Sequence, residues 1–167
     1  MKRKYILILI ALFISLFIYL FYRTDHTLVN RLLIYLISPG TYTRLKAIIS
    51  HALSLNDVIV YSLPEGLWVF CITLTSRHYY IRLAGWQMDC LYIPLIFSVG
   101  LELFQLLHIT NGRFDLMDIA VSLLFWILGA YRISGTYQQQ NILKQFNFKT
   151  TVCLVSYGIV YLAHVFK

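Results

Sequence analysis

The stretch Glu102-Leu103-Phe104-Gln105-Leu106-Leu107-His108-Ile109-Thr110-Asn111-Gly112-Arg113-Phe114-Asp115-Leu116-Met117-Asp118 decides how the chain is read. It lies between two apolar runs and holds three of the chain's seven acidic residues, with an arginine, a glutamine and a histidine. In a sequence that is 59% hydrophobic, such a density of polar groups needs a physical reason. A carboxylate at the end of an apolar helix must be paired, hydrated or used, because removing an unpaired charge from water is costly.

The composition around this stretch is that of a membrane protein. Mean hydropathy is +0.71 with 13% charged residues, far from the balance of a soluble domain. Many of the 13 tyrosines lie near the ends of apolar runs, where interfacial belts place them. The net charge of +7 does not point to nucleic acid, because the basic residues are scattered or flank apolar runs. Lys2-Arg3-Lys4 and Arg77-His78 with Arg82 read as topology signals and contacts to anionic lipid. Cys71, Cys90 and Cys153 have no motif spacing and read as small buried hydrophobes, neither a disulfide framework nor a zinc site.

Outward from the opening stretch, the apolar runs 5–22, 58–74, 91–107, 119–133 and 151–166 predict about five transmembrane helices. The first follows a basic cluster and lacks a small-residue cleavage site after it, so an uncleaved helix is expected rather than a signal peptide. Between the first two, residues 24–56 hold two stretches of helical apolar spacing separated by Ser38-Pro39-Gly40. Each is too short to span, and two short interfacial helices are expected, with a re-entrant segment as the alternative. Leu63-Pro64-Glu65-Gly66 interrupts the second run, predicting a kink or local unwinding beside Glu65. Residues 76–87 read as a basic interfacial loop and 136–147 as a polar connector. The expected fold class is thus all-α, a polytopic membrane helical bundle forming a single domain over residues 1–167.

Lys2-Arg3-Lys4 predicts a cytoplasmic N-terminus. In that orientation Asp25, Asp57, Glu102, Asp115 and Asp118 fall at the outer ends of helices and Glu65 part-way in, so the polar site is expected on the extracytoplasmic side. Glu102 and Gln105 share a helix face, Asn111-Gly112 favours a tight turn, and Arg113 leads into Asp115 and Asp118. A simpler account is that Asp115 caps a helix, Arg113 neutralises one carboxylate and Glu65 snorkels or pairs. One cap and one ion pair would still leave a carboxylate in excess. The candidate residues are Glu102, Arg113 and Asp118 for catalysis, and Glu65, Gln105 and Asp115 for ligand binding. His108 is a candidate proton shuttle, with a solvated surface residue as the more ordinary reading. The oxygen ligands Glu102, Asp115 and Asp118 would suit Mg²⁺ or Ca²⁺, but there is no recognisable metal motif, and no metal or cofactor is expected.

Glu102-x-x-Gln105, then Gly112-Arg113-x-Asp115-x-x-Asp118, then an apolar helix containing Gly129, resembles the VanZ-like family of small bacterial membrane proteins, with the best-matching core at residues 57–131. Ser122 and Phe125 stand where the family pattern has Asn and Gly, and Phe125 does not allow the close helix approach a glycine would. The resemblance implies a multi-pass protein of the bacterial cytoplasmic membrane with an envelope role, and a link to glycopeptide (teicoplanin-type) resistance. From the residues and the resemblance together, the expected function is binding of a polar or lipid-linked envelope ligand, such as a cell-wall precursor. The alternative is an intramembrane hydrolase or transferase on a lipid-linked substrate, with Glu102 or Asp118 as general base and Arg113 stabilising developing negative charge. Proton-coupled transport through Glu65 and Glu102 is a weaker third reading, because five short spans leave little room for alternating access.

Overall fold

The computed structural model describes residues 2–23, 28–83, 85–109, 113–132, 139–144 and 147–165. Among these the chain is mostly helical, as expected: α1 (Lys2–Phe21), α2 (Leu28–Ile37), α3 (Pro39–Ala52), α4 (Asp57–Tyr61), α5 (Leu63–Ser76), α6 (Ile93–Leu106), α7 (Leu116–Ile127) and α8 (Phe148–Val165). A 3-10 turn, Cys90–Tyr92, leads into α6, and a π-helical turn, Leu128–Arg132, extends α7.

The breaks follow local chemistry. Ser38, at φ 70°, ends α2, and Pro39 opens α3 within its first turn, where its missing N–H costs nothing. The run 58–74 is split at Ser62, and Pro64 again occupies the first turn of the helix that follows. The expected interruption near Glu65 falls at Ser62, which keeps helical dihedrals while Ser62 N–H donates to Val58 O at 3.0 Å and Gly66 N–H to Ser62 O at 3.1 Å, so the helical path is locally broken rather than ended, and Glu65 lies in the first turn of α5.

The segment read as a basic loop is instead a β-hairpin. β1 (Tyr79–Leu83) pairs antiparallel with β2 (Trp86–Asp89), with Leu83 opposite Trp86, so that a two-residue connection ending in Gly85 closes the turn. Gly85 has φ +88°, a conformation open to glycine at no steric cost. The run Tyr79-Tyr80-Ile81 is rich in residues that favour a pleated surface. Within the polar connector, β3 (Gln140–Asn141) adds in parallel to the other side of β1. The sheet is a small appendage to a helical fold.

α5 is the hub, packing against α1, α6, α7 and α8. Of its 14 residues, 11 are buried. Gly66 and Gly129 allow the closest approaches. A Cβ at Gly66 would stand 2.5 Å from the Phe125 ring and 2.7 Å from Val121, while one at Gly129 would meet Thr73 at 3.1 Å. The tight contact that Phe125 forbids on its own helix is thus supplied by Gly66 on the facing one. Trp68, Val69, Ile72, Trp126 and Ala130 form the neighbouring apolar core.

One helix among the described residues, Lys4–Phe21, is long and apolar enough to cross a bilayer by itself; Leu63–Ser76, Cys90–Leu106 and Leu116–Tyr131 are apolar but shorter. Burial on α6 and α7, though not on α5, is inverted relative to a water-soluble protein. α6 buries Pro94, Ser98 and Glu102 while exposing Ile96, Phe97, Leu103, Phe104 and Leu106. α7 buries Ser122 and Trp126 and exposes Leu116, Met117, Leu123, Leu124 and Ile127.

The two glycines in contrasting surroundings give a test. Gly66→Ala should lower stability by about 1 kcal/mol through crowding of Phe125 and Val121. Gly100→Ala, where a Cβ meets nothing within 4 Å, should raise it by roughly 0.5–1 kcal/mol, because alanine loses less backbone freedom in a helix. Thermal unfolding of the two purified variants measures the sign of each change.

Candidate functional site

The site is assembled where α6 ends and α5 and α7 begin. Pro94, Ser98 and Glu102 recur every four residues, so they line one face of α6 and bury it. Asp118 and Ser122 recur at the same interval on α7. Glu65, in the first turn of α5, faces both stripes: its Oε1 accepts hydrogen bonds from Ser98 Oγ at 2.8 Å and Ser122 Oγ at 3.5 Å. One serine from each neighbouring helix thus orients the carboxylate.

Glu102 is 2% exposed. Its Oε2 accepts from the backbone N–H of Asp115 at 2.9 Å, which ties the end of α6 to the start of α7. Asp115 then caps α7, its Oδ1 accepting from Met117 N–H at 2.8 Å. That places Asp115 in the ordinary structural role weighed for it. Asp118, one turn further, turns inward and completes a trio: carboxylate oxygens of Glu65, Glu102 and Asp118 all lie within 4.8 Å of one another. Asp118 Oδ1 is buried and has no hydrogen-bond partner among the described residues.

Three carboxylates this close repel unless positive charge is supplied, either by protons shared among them or by a cation. The set consists only of oxygen donors, the kind that holds Mg²⁺ or Ca²⁺. Its members differ from the triplet considered on sequence, because Asp115 is committed to its cap and Glu65 takes its place. Glu65, Glu102 and Asp118 are therefore the residues that could hold such an ion.

The remaining candidates lie outside this trio. Arg113 is exposed on the lead-in to α7, and the hydrogen bonds that organise the cluster come from Ser98, Ser122 and a backbone amide, not from its guanidinium. Gln105 is half-buried one turn beyond Glu102, and its amide takes no part in those bonds. His108 is exposed in the turn after α6 at φ 58°. The expected Asn111-Gly112 turn and Asp25 fall outside the described residues.

Ser98 and Arg23 were not anticipated, and Ser122 was noted only where it departs from the resembled pattern. Ser98 and Ser122 carry a signal that helical spacing offers: one lies four residues before Glu102, the other four after Asp118. Arg23 had no such signal. At the end of α1 it donates to the carbonyls of Val60 at 3.3 Å and Tyr61 at 2.6 Å, stacks over the rings of Tyr19 and Tyr61 and lies within electrostatic reach of Glu65. Comparisons of the chain with models of known families, with curated proteins and with solved structures gave no match.

The Glu102–Asp115 link can be separated from the cap. Glu102→Ala removes the acceptor of a backbone N–H and should cost about 1–3 kcal/mol, whereas Glu102→Gln keeps an acceptor oxygen and should cost less. Asp115→Ala should cost about 1 kcal/mol as a lost cap. Equal destabilisation by Glu102→Ala and Glu102→Gln in thermal unfolding would mean that the link does not hold the hairpin.

Proposed function

We propose that the chain is a multi-pass membrane protein of the bacterial cell envelope, in which Glu65, Glu102 and Asp118 form a polar site for an envelope ligand. The ligand is polar or lipid-linked and is held through a positively charged group or a bridging cation. The observation that carries this reading is the inverted burial: helices that expose leucine and phenylalanine while enclosing serines and three carboxylates suit a hydrocarbon surround, where polar groups must be satisfied within the protein.

In this reading α1, α5, α6, α7 and α8 are the spans. Leu116 to Arg132 and Cys90 to Leu106 are each roughly 25 Å long at 1.5 Å per residue, short of a hydrocarbon core of about 30 Å. Local thinning of the bilayer and the adjoining α4 and hairpin accommodate the difference. α2 and α3 lie along the outer interface, where α2 presents Leu32, Tyr35 and Leu36. With Lys2-Arg3-Lys4 in the cytoplasm, the carboxylate cluster opens toward the extracytoplasmic leaflet. The resemblance of residues 102–129 to the VanZ-like pattern supports the same placement and adds a link to teicoplanin-type glycopeptides.

A second reading, an intramembrane hydrolase or transferase on a lipid-linked substrate, draws on Asp118 Oδ1. A buried carboxylate oxygen without a hydrogen-bond partner among the described residues is placed as a general base. In that chemistry Arg113, exposed at the mouth, holds an anionic part of the substrate rather than charge at the reacting atoms.

Mass spectrometry of the protein extracted from its native membrane in mild detergent tests the proposal. Wild type should retain a lipid-linked or polar envelope species. The Glu65→Gln/Asp118→Asn double variant should insert into the membrane and lose that species, while Arg113→Ala should retain at least part of it. An identical bound species in wild type and the double variant would rule the site out.

A further inference from the structure

At the end of the fold opposite the carboxylates, three helix termini bring four basic side chains together. Lys4 is in the first turn of α1, Arg77 caps α5, His78 follows it, and Lys149 is in the first turn of α8. Lys4 Nζ donates to His78 Nε2 at 3.0 Å. Arg77 donates to the Gly129 carbonyl at 3.3 Å, which fixes its stem against the π-helical turn. Lys4 lies within electrostatic reach of Arg77 and Lys149, and all three lie within reach of His78. Burial and these three cations push the His78 imidazole down to about 4. It is therefore neutral near pH 7 and accepts the ammonium's hydrogen.

The placement is electrostatically unfavourable for the chain by itself. Lys4 and Lys149 each sit at a helix N-terminus, the positive end of its dipole, where anions rather than cations are favoured. Tyr79 Oη and Thr150 Oγ1, 3.2 Å apart, pin the start of α8 beside β1, so the cluster is held together by the fold.

We propose that Lys4, Arg77, His78 and Lys149 form a binding site for the phosphate of an anionic phospholipid headgroup in the leaflet at this end. The hairpin favours a lipid over a soluble anion: Trp86 is 84% exposed and Met88 is also exposed, and Arg82 on β1 pairs with Gln87 between them, on the other face of the ribbon. An aromatic and a basic residue on one exposed turn match the headgroup region. The assignment rests on the membrane location proposed above and is independent of the carboxylate site.

The test uses the full chain purified in a non-ionic detergent, with apparent affinity read from the rise in unfolding temperature on titration. Phosphatidylglycerol, phosphatidylcholine, glycerol 3-phosphate and inorganic phosphate are the four probes. Phosphatidylglycerol should stabilise the protein, and the other three should not do so at matched concentration. Lys149→Gln, at an exposed position, should weaken apparent affinity about fivefold, and Lys4→Gln/Lys149→Gln about 25-fold, one surface charge each. If the double variant does not fold, Lys149→Gln alone decides. Arg44→Gln, on α3 at the opposite end, should leave the affinity unchanged. Equal stabilisation by inorganic phosphate or glycerol 3-phosphate would replace the lipid with a soluble anion and overturn the proposal, as would equal stabilisation by phosphatidylcholine. Equal loss in Arg44→Gln, or no loss in Lys149→Gln, would reduce the effect to general charge and overturn it too. A failure of the membrane reading itself appears elsewhere, as release of the protein from native membranes by an alkaline carbonate wash.

Discussion

Glu65 is the constraint on which the rest of the arrangement depends. It is an ionisable group in the first turn of the most buried helix, and burying it without partners would cost several kcal/mol. The fold answers with a serine from each neighbouring helix, Ser98 and Ser122, both donating to the same Oε1. Those serines in turn set the rotation of α6 and α7, and the same faces carry Glu102 and Asp118 inward. The next residue, Gly66, lets Phe125 and Val121 close over the helix start. Polar satisfaction and close packing are therefore enforced within two consecutive residues.

Five acidic residues gather at one end of the helices, together with Arg23, Arg44, Lys46 and Arg113, and a basic cluster gathers at the other, near Asp89. Asp57, Glu65, Glu102, Asp115 and Asp118 lie where α4, α5 and α7 begin and α6 ends, whereas Lys4, Arg77, His78 and Lys149 lie where α5 ends and α1 and α8 begin. The acidic residues at helix starts complement the helix dipoles, while the lysines at the starts of α1 and α8 oppose them.

Much of this was legible in the sequence, and the reasons differ by residue. Most helices were readable from apolar runs, Ser38-Pro39-Gly40 marked the break between α2 and α3, and Pro64 marked an interruption inside the run 58–74 because proline lacks the N–H a helix interior needs. Glu102, Asp115 and Asp118 were readable as a group because a short turn between two apolar helices brings the end of one beside the start of the next. Spacing did not separate the capping role of Asp115 from the inward position of Asp118, since both are compatible with a helix start and only the cap geometry divides them. Arg113 was misplaced for a related reason: its position precedes the helix, so no periodicity sets where its long side chain goes. The hairpin at residues 79–89 was hidden by its charges, although Tyr79-Tyr80-Ile81 and Gly85 carried the strand and turn chemistry. Arg23 reaches the site through tertiary packing of α1 against α4 and α5, which no local pattern encodes.

α6 and α7 present Ser98 and Ser122 to one carboxylate oxygen of α5. A Ser98→Cys/Ser122→Cys double variant lacking the three native cysteines, treated in intact membranes with a mercuric or other short thiol bridge, measures that juxtaposition directly. The account predicts an intramolecular crosslink between the two helices, reduced when Glu65→Ala removes the group between them. Absence of any crosslink while both cysteines are present and reduced would contradict it.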